Sequence, residues 1–146
     1  MNQGTRRRYL LVGFAGGIGT LCRYGVSEWL HAPWLPLATL IINFSGSFLI
    51  GALQALSEPG SRFYLGPNTR LALMTGFCGG YTTFSTFSAL SFRSIYDGDW
   101  NDALLNIIGS LVLGLAAVFA GYFVSTITGK LMETWAHRLQ RRRKKW

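Results

Sequence analysis

Four stretches of this chain are apolar over lengths that a soluble core helix rarely needs: residues 9–29, 37–57, 71–96 and 103–128. At roughly 1.5 Å per helical residue, each is long enough to cross a hydrocarbon core about 30 Å thick. Polar and turn-forming residues collect between them. The turn His31-Ala32-Pro33-Trp34-Leu35-Pro36 separates the first two runs, residues 58–70 carry Glu58-Pro59-Gly60 and Gly66-Pro67, and Asp97, Gly98, Asp99 and Asp102 open the fourth. The pattern predicts an all-α membrane protein of four spans, residues 9–129, between a basic leader at 1–8 and a basic tail at 130–146. Trp29 and Trp34 are placed to anchor the membrane surface.

The third run differs from the others. Gly79 and Gly80 together cost about 2 kcal/mol of helix propensity relative to Ala, and Thr82, Thr83, Ser85 and Thr86 follow closely. This predicts an interruption near the midpoint of 71–96, between Thr83 and Phe84, with Asn68 or Thr69 capping the segment's start. In hydrocarbon, backbone released by a break must find partners inside protein or beside a polar path. The alternative is an unbroken helix whose small residues allow a close crossing, as the GGIGT run of the first span also would.

Composition narrows the function. With 49% hydrophobic and 14% charged residues, a soluble enzyme is excluded. Neither a triad, a P-loop nor a metal-ligand cluster is legible, so no enzymatic role is expected, and Cys22 and Cys78 are expected to be buried free thiols. The first run is too long for a cleaved signal and lacks an A-x-A site. Glu28, Glu58, Asp97, Asp99, Asp102 and Glu133 all fall at span ends or in loops, which argues against a small four-span dual-topology multidrug-type transporter, the main alternative. The spans instead hold hydrogen-bond donors: Asn43, the hydroxyls of residues 82–88, and Ser110. Of 14 basic residues, all but Arg23 and Arg93 lie on the face bearing both tails and the 58–70 loop. Such a bias is an orientation or lipid-surface signal and does not call for nucleic acid.

The stretch GFCGGYTTFSTF, residues 76–87, resembles the signature of the Fluc (CrcB-type) family of small bacterial fluoride channels, and Asn43 and Gly109-Ser110 stand where that family places them. The resemblance covers all four runs and leaves out only the charged tails. It implies passive fluoride efflux across the bacterial cytoplasmic membrane through an antiparallel dimer. It also implies a fluoride pore formed by Asn43, Phe84, Thr86, Phe87 and Ser110, with Arg23 at a vestibule. A structural sodium ion between the copies would take backbone oxygens of Gly79 and Thr82.

Each of these residues has a plainer role open to it. Arg23 can snorkel, Asn43 can join helices, Ser110 and Asn106 can be interface residues, and an isolated Phe pair more often packs a core. The edge of an aromatic ring is nonetheless positive, and attracts a desolvated anion presented to it. The basic bias raises a further question. Arg6, Arg7, Arg8, Arg62, Arg70, Lys130, Arg138, Arg141, Arg142, Arg143, Lys144 and Lys145 should fix both termini in the cytoplasm, whereas antiparallel copies need two orientations. Either the chain pairs with an oppositely oriented relative as a heterodimer, or it inserts both ways and forms a homodimer.

Overall fold

The computed structural model describes residues 2–30, 37–59, 61 and 64–143. Helix α1 covers Gln3–Leu30 and α2 covers Leu37–Leu56. The third run is assembled from α3 (Pro67–Arg70), a π-helical stretch at Leu71–Cys78, α4 (Gly79–Tyr81) and, after a break, α5 (Phe84–Tyr96); α6 covers Trp100–Arg143. Among the described residues α1, α2 and α6 are each long and apolar enough to cross a membrane as one helix. The third span needs both of its halves, since the 13 residues of α5 rise only about 20 Å. His31, Trp34, Arg62, Lys144 and Lys145 lie outside the described residues. Trp29 is 81% exposed on the last turn of α1, as a surface anchor should be.

The interruption is present, but the glycine pair does not make it. Gly79 is helical (φ −64°, ψ −36°), whereas Thr82 (φ −75°, ψ 161°) and Thr83 (φ −146°, ψ 117°) are extended. Gly80 serves a different purpose: a side chain there would run into the Gly16 backbone of α1. Gly19 is likewise pressed on the Phe77 carbonyl, and Gly76 on Val12 and Ala15, so the small residues of the first span let α1 lie directly against the wide-wound π-helical run. Thr20 ties the two together by donating to the carbonyls of Gly16 and Gly80 at 3.0 and 3.3 Å.

The expected cap at Asn68 or Thr69 is not formed. The segment starts two to three residues earlier, with Gly66 as N-cap and Pro67 in the first helical position, where its missing N–H removes a donor that would have no partner. Asn68 instead accepts from Arg8 Nε at 3.2 Å, which holds the start of α1 beside α3.

The other half of the bundle is α2 on α6. Gly51 faces the Val118 carbonyl and Gly121 faces the Phe48 carbonyl, leaving no room for a Cβ at either. Gly109 and Gly114 do not pack as tightly: a Cβ there would stand 3.8 Å from Leu40 and 3.7 Å from the Ser47 hydroxyl, which is ordinary contact. The turn between α5 and α6 closes on Gly98, whose φ of +83° suits glycine. Gly98 N–H donates to Ile95 O and Asp99 N–H to Ser94 O, the pairing of a Schellman cap. The fourth run does not end at 128. Its helix continues to Arg143, so the first part of the tail is helical too. Cys78 is buried as expected, but Cys22 is exposed on the outer side of α1.

Candidate functional site

The break is held by side chains from both flanks. Thr83 caps α5, its hydroxyl accepting Thr86 N–H at 3.1 Å and donating to Thr86 Oγ1 at 3.0 Å. Across the bundle, Asn43 of α2 pairs with the Thr83 backbone in both directions: Oδ1 accepts Thr83 N–H at 2.9 Å, and Nδ2 donates to Thr83 O at 3.2 Å. Thr83 is only 6% exposed, so the N–H released by the break would otherwise lack a partner, while its carbonyl, as the N-cap carbonyl of α5, gains a second donor. The helix-joining role open to Asn43 is therefore real, although its partner is backbone. An amide nitrogen carries two hydrogens, so one remains available beyond this pair.

The same two diversions leave oxygens behind. In an unbroken helix Thr83 N–H would close on the Gly79 carbonyl and Thr86 N–H on the Thr82 carbonyl. Both N–H groups are taken by side chains, Asn43 Oδ1 and Thr83 Oγ1. The Gly79 and Thr82 carbonyls are thus released at one place in the bundle. The Thr82 side chain is occupied locally, donating to Cys78 O at 2.9 Å and packing its methyl onto Gly46.

Beside the break lies a cavity of about 860 Å³. It gathers Asn43 from α2, Gly79 and Thr82 from the first half of the third span, Phe84 and Phe87 from α5, and Ser110 from α6. Among the described residues its lining contains no charged side chain. The rings of Phe84 and Phe87 stand 5.5 Å apart, tilted by 39°. Phe84 is 79% exposed on the single chain, so the cavity is open on that side. The Ser110 hydroxyl is buried with no hydrogen-bond partner among the described residues. Asn106, one turn earlier on α6, donates to Phe87 O at 3.1 Å and to Ser91 Oγ at 2.8 Å, which fixes the helix bearing Phe87.

Two residues implied by the resemblance stand apart from this cavity. Thr86 is exposed and turned to Thr83. Arg23 is half-buried on α1, one turn beyond Thr20. Conversely, the organising role of Thr83 and the lining residues Met74, Thr75 and Cys78 were not singled out from sequence. A signal existed for three of the four: a Thr just before an apolar helical run is a preferred helix cap, and stepping back one turn from Gly79 and Thr82 gives Thr75 and Cys78.

Residues 10–122 match the family described as CrcB-like protein, Camphor Resistance (CrcB). Curated relatives match over most of both chains. A protein of Opitutus terrae is 38% identical over 80% of this chain and 91% of its own. One of Thermus thermophilus is 42% identical over 79% and 91%, and one of Chlorobium chlorochromatii 43% identical over 77% and 87%. All three are named fluoride-specific ion channel FluC. The match begins just after the arginine-rich leader and takes in all the residues that meet at the cavity, so this chain belongs to the CrcB-like family.

Proposed function

We propose that this protein is a passive, fluoride-selective channel of the bacterial cytoplasmic membrane that lets accumulated fluoride leave the cell. One observation carries the reading: residues from three spans, far apart in sequence, converge on an uncharged cavity whose polar groups include donors. The buried Ser110 hydroxyl has no partner among the described residues, and the spare Asn43 hydrogen and the Phe84 and Phe87 ring edges add positive potential without a full charge. A carboxylate in that wall would repel an anion, and the described lining has none. Thr86 acts on the path through Thr83, whose hydroxyl it receives, and Arg23 attracts anions toward an end of the path.

The open side at Phe84 supports a dimer, because a second copy seated there would close the wall. An antiparallel pair about a two-fold axis in the membrane plane brings the two mid-membrane breaks together. The released Gly79 and Thr82 carbonyls then suit a sodium ion, which as a hard cation takes uncharged oxygens and would join the copies without entering the anion path. Homodimer and heterodimer both satisfy this geometry. The strong basic bias of the tail-bearing face favours a partner of opposite orientation.

Expression in a bacterium lacking its own fluoride exporter tests the function. Growth on fluoride should be restored, with resistance to hydrophobic cationic drugs unchanged. Drug resistance without fluoride resistance would return the chain to the multidrug-transporter alternative.

A further inference from the structure

A second hollow, of about 380 Å³, opens at the end of the bundle where the chain starts. Arg70 is the one charged residue in its lining among the described residues, and Met74 and Thr75 line both this hollow and the central cavity, forming a shared wall. Arg70 is fixed by one hydrogen bond, NH2 to Gln54 Oε1 at 2.9 Å, which leaves most of the guanidinium's five donors without a partner among the described residues.

The carbonyls that close α2 beside this opening are already engaged. The last carbonyls of α2 are taken by local donors: Leu53 O by the Ser57 hydroxyl, Gln54 O by Ser57 N–H, Ala55 O by Glu58 N–H and Leu56 O by Leu65 N–H. The Glu58 carboxylate accepts the Tyr122 hydroxyl at 2.8 Å and does not line the hollow. Arg8, bonded to Asn68, brings a second guanidinium to the turn that carries Arg70. A concave opening with a free cation and quenched carbonyls concentrates small anions.

Building on the channel reading, we propose that this hollow is the mouth of the anion path at the tail-bearing end, with Arg70 as its collecting charge and the Met74 side chain as the movable partition to the central cavity. Met suits a partition because its unbranched thioether changes rotamer easily.

The test is the initial rate of fluoride efflux from vesicles containing the purified protein, measured across ionic strength set with a bulky impermeant salt. Arg70→Gln should lower the rate about fivefold at about 20 mM salt, with the difference vanishing near 500 mM, while Arg70→Lys stays close to the parent. Equal rates for Arg70→Gln and parent at low salt would overturn the mouth. Should Arg70→Gln fail to fold, Leu65→Cys in a Cys22→Ser background places a thiol in the same hollow. A negatively charged thiol reagent there should slow efflux and a positively charged one should not, and equal effects of the two would overturn the proposal. Absence of fluoride efflux from the parent protein would instead count against the channel reading itself.

Discussion

Replacing Asn43 separates the two tasks that the structure places on one side chain. Asn43→Ala removes the partner of the buried Thr83 N–H, held at 2.9 Å, and one of the donors to its carbonyl, held at 3.2 Å, which as the N-cap carbonyl still receives the first helical N–H of α5. Leaving the N–H unpaired costs about 1–3 kcal/mol, less whatever water in the cavity restores. At roughly 1.4 kcal/mol per tenfold, even 1 kcal/mol raises local opening about fivefold. Amide hydrogen exchange in lipid reads this directly: Thr83 should lose its protection while the core of α2 against α6 keeps its own. Asn43→Asp behaves differently. Its carboxylate still accepts Thr83 N–H, so that amide stays protected, but it places an anion in the cavity wall. For a second anion at about 5 Å and an effective dielectric of about 20, the repulsion is near 3 kcal/mol, enough to cut flux about 100-fold. Undiminished Thr83 protection in Asn43→Ala would refute the claim that this amide pins the break. Undiminished flux in Asn43→Asp would refute its place on the anion path.

Other outcomes follow from the same geometry. Gly51→Ala and Gly80→Ala should each destabilise the fold by about 1–3 kcal/mol, because the added Cβ meets backbone at Val118 and Gly16, whereas Gly109→Ala should be near neutral in thermal unfolding. Phe84→Ile and Phe87→Ile keep bulk and remove the ring edge; fluoride flux should fall at least tenfold in each while the protein remains dimeric, and unchanged flux in both would return the pair to core packing. Gly98→Ala forces a left-handed backbone onto a residue with a Cβ and should cost about 1–2 kcal/mol without changing ion selectivity. Exchange of sodium for potassium throughout purification should lower thermal stability and activity if the Gly79 and Thr82 carbonyls hold the cation, and identical melting in both salts would remove it from the account.

Much of this architecture was legible because a membrane span is a coarse signal: length and apolar content alone located the three helices able to cross a membrane and the interrupted helical run between the second and third of them. The interruption was legible for a partly mistaken reason. The break was expected between Thr83 and Phe84 and lies at Thr82 and Thr83, but the glycines on which propensity laid the cost stay helical, and at Gly80 it is α1 that needs the missing side chain. Intrinsic preference is a weak guide wherever a neighbouring helix decides what a glycine is for. Asn43 illustrates a different limit. Sequence marks it as the amide in the apolar part of the second run, but only the tertiary fold shows that it faces the Thr83 backbone 40 residues away. The π-helical run at Leu71–Cys78 had no legible signal, since its winding is fixed where the third span meets α1. The length of α6 was underestimated because the hydrophobic pattern stops near Lys130 while the residues beyond it, Leu131 to Arg143, include no proline or glycine to end a helix.

The central claim is selective, passive movement of fluoride along the cavity beside the break. The most direct measurement is anion release from preloaded vesicles containing the purified protein, with the membrane potential clamped by a potassium ionophore and no proton gradient. Fluoride should leave rapidly down its own gradient, and chloride under identical conditions should remain inside. Equal release of both ions, or fluoride release that appears only when a proton gradient is imposed, would contradict the account.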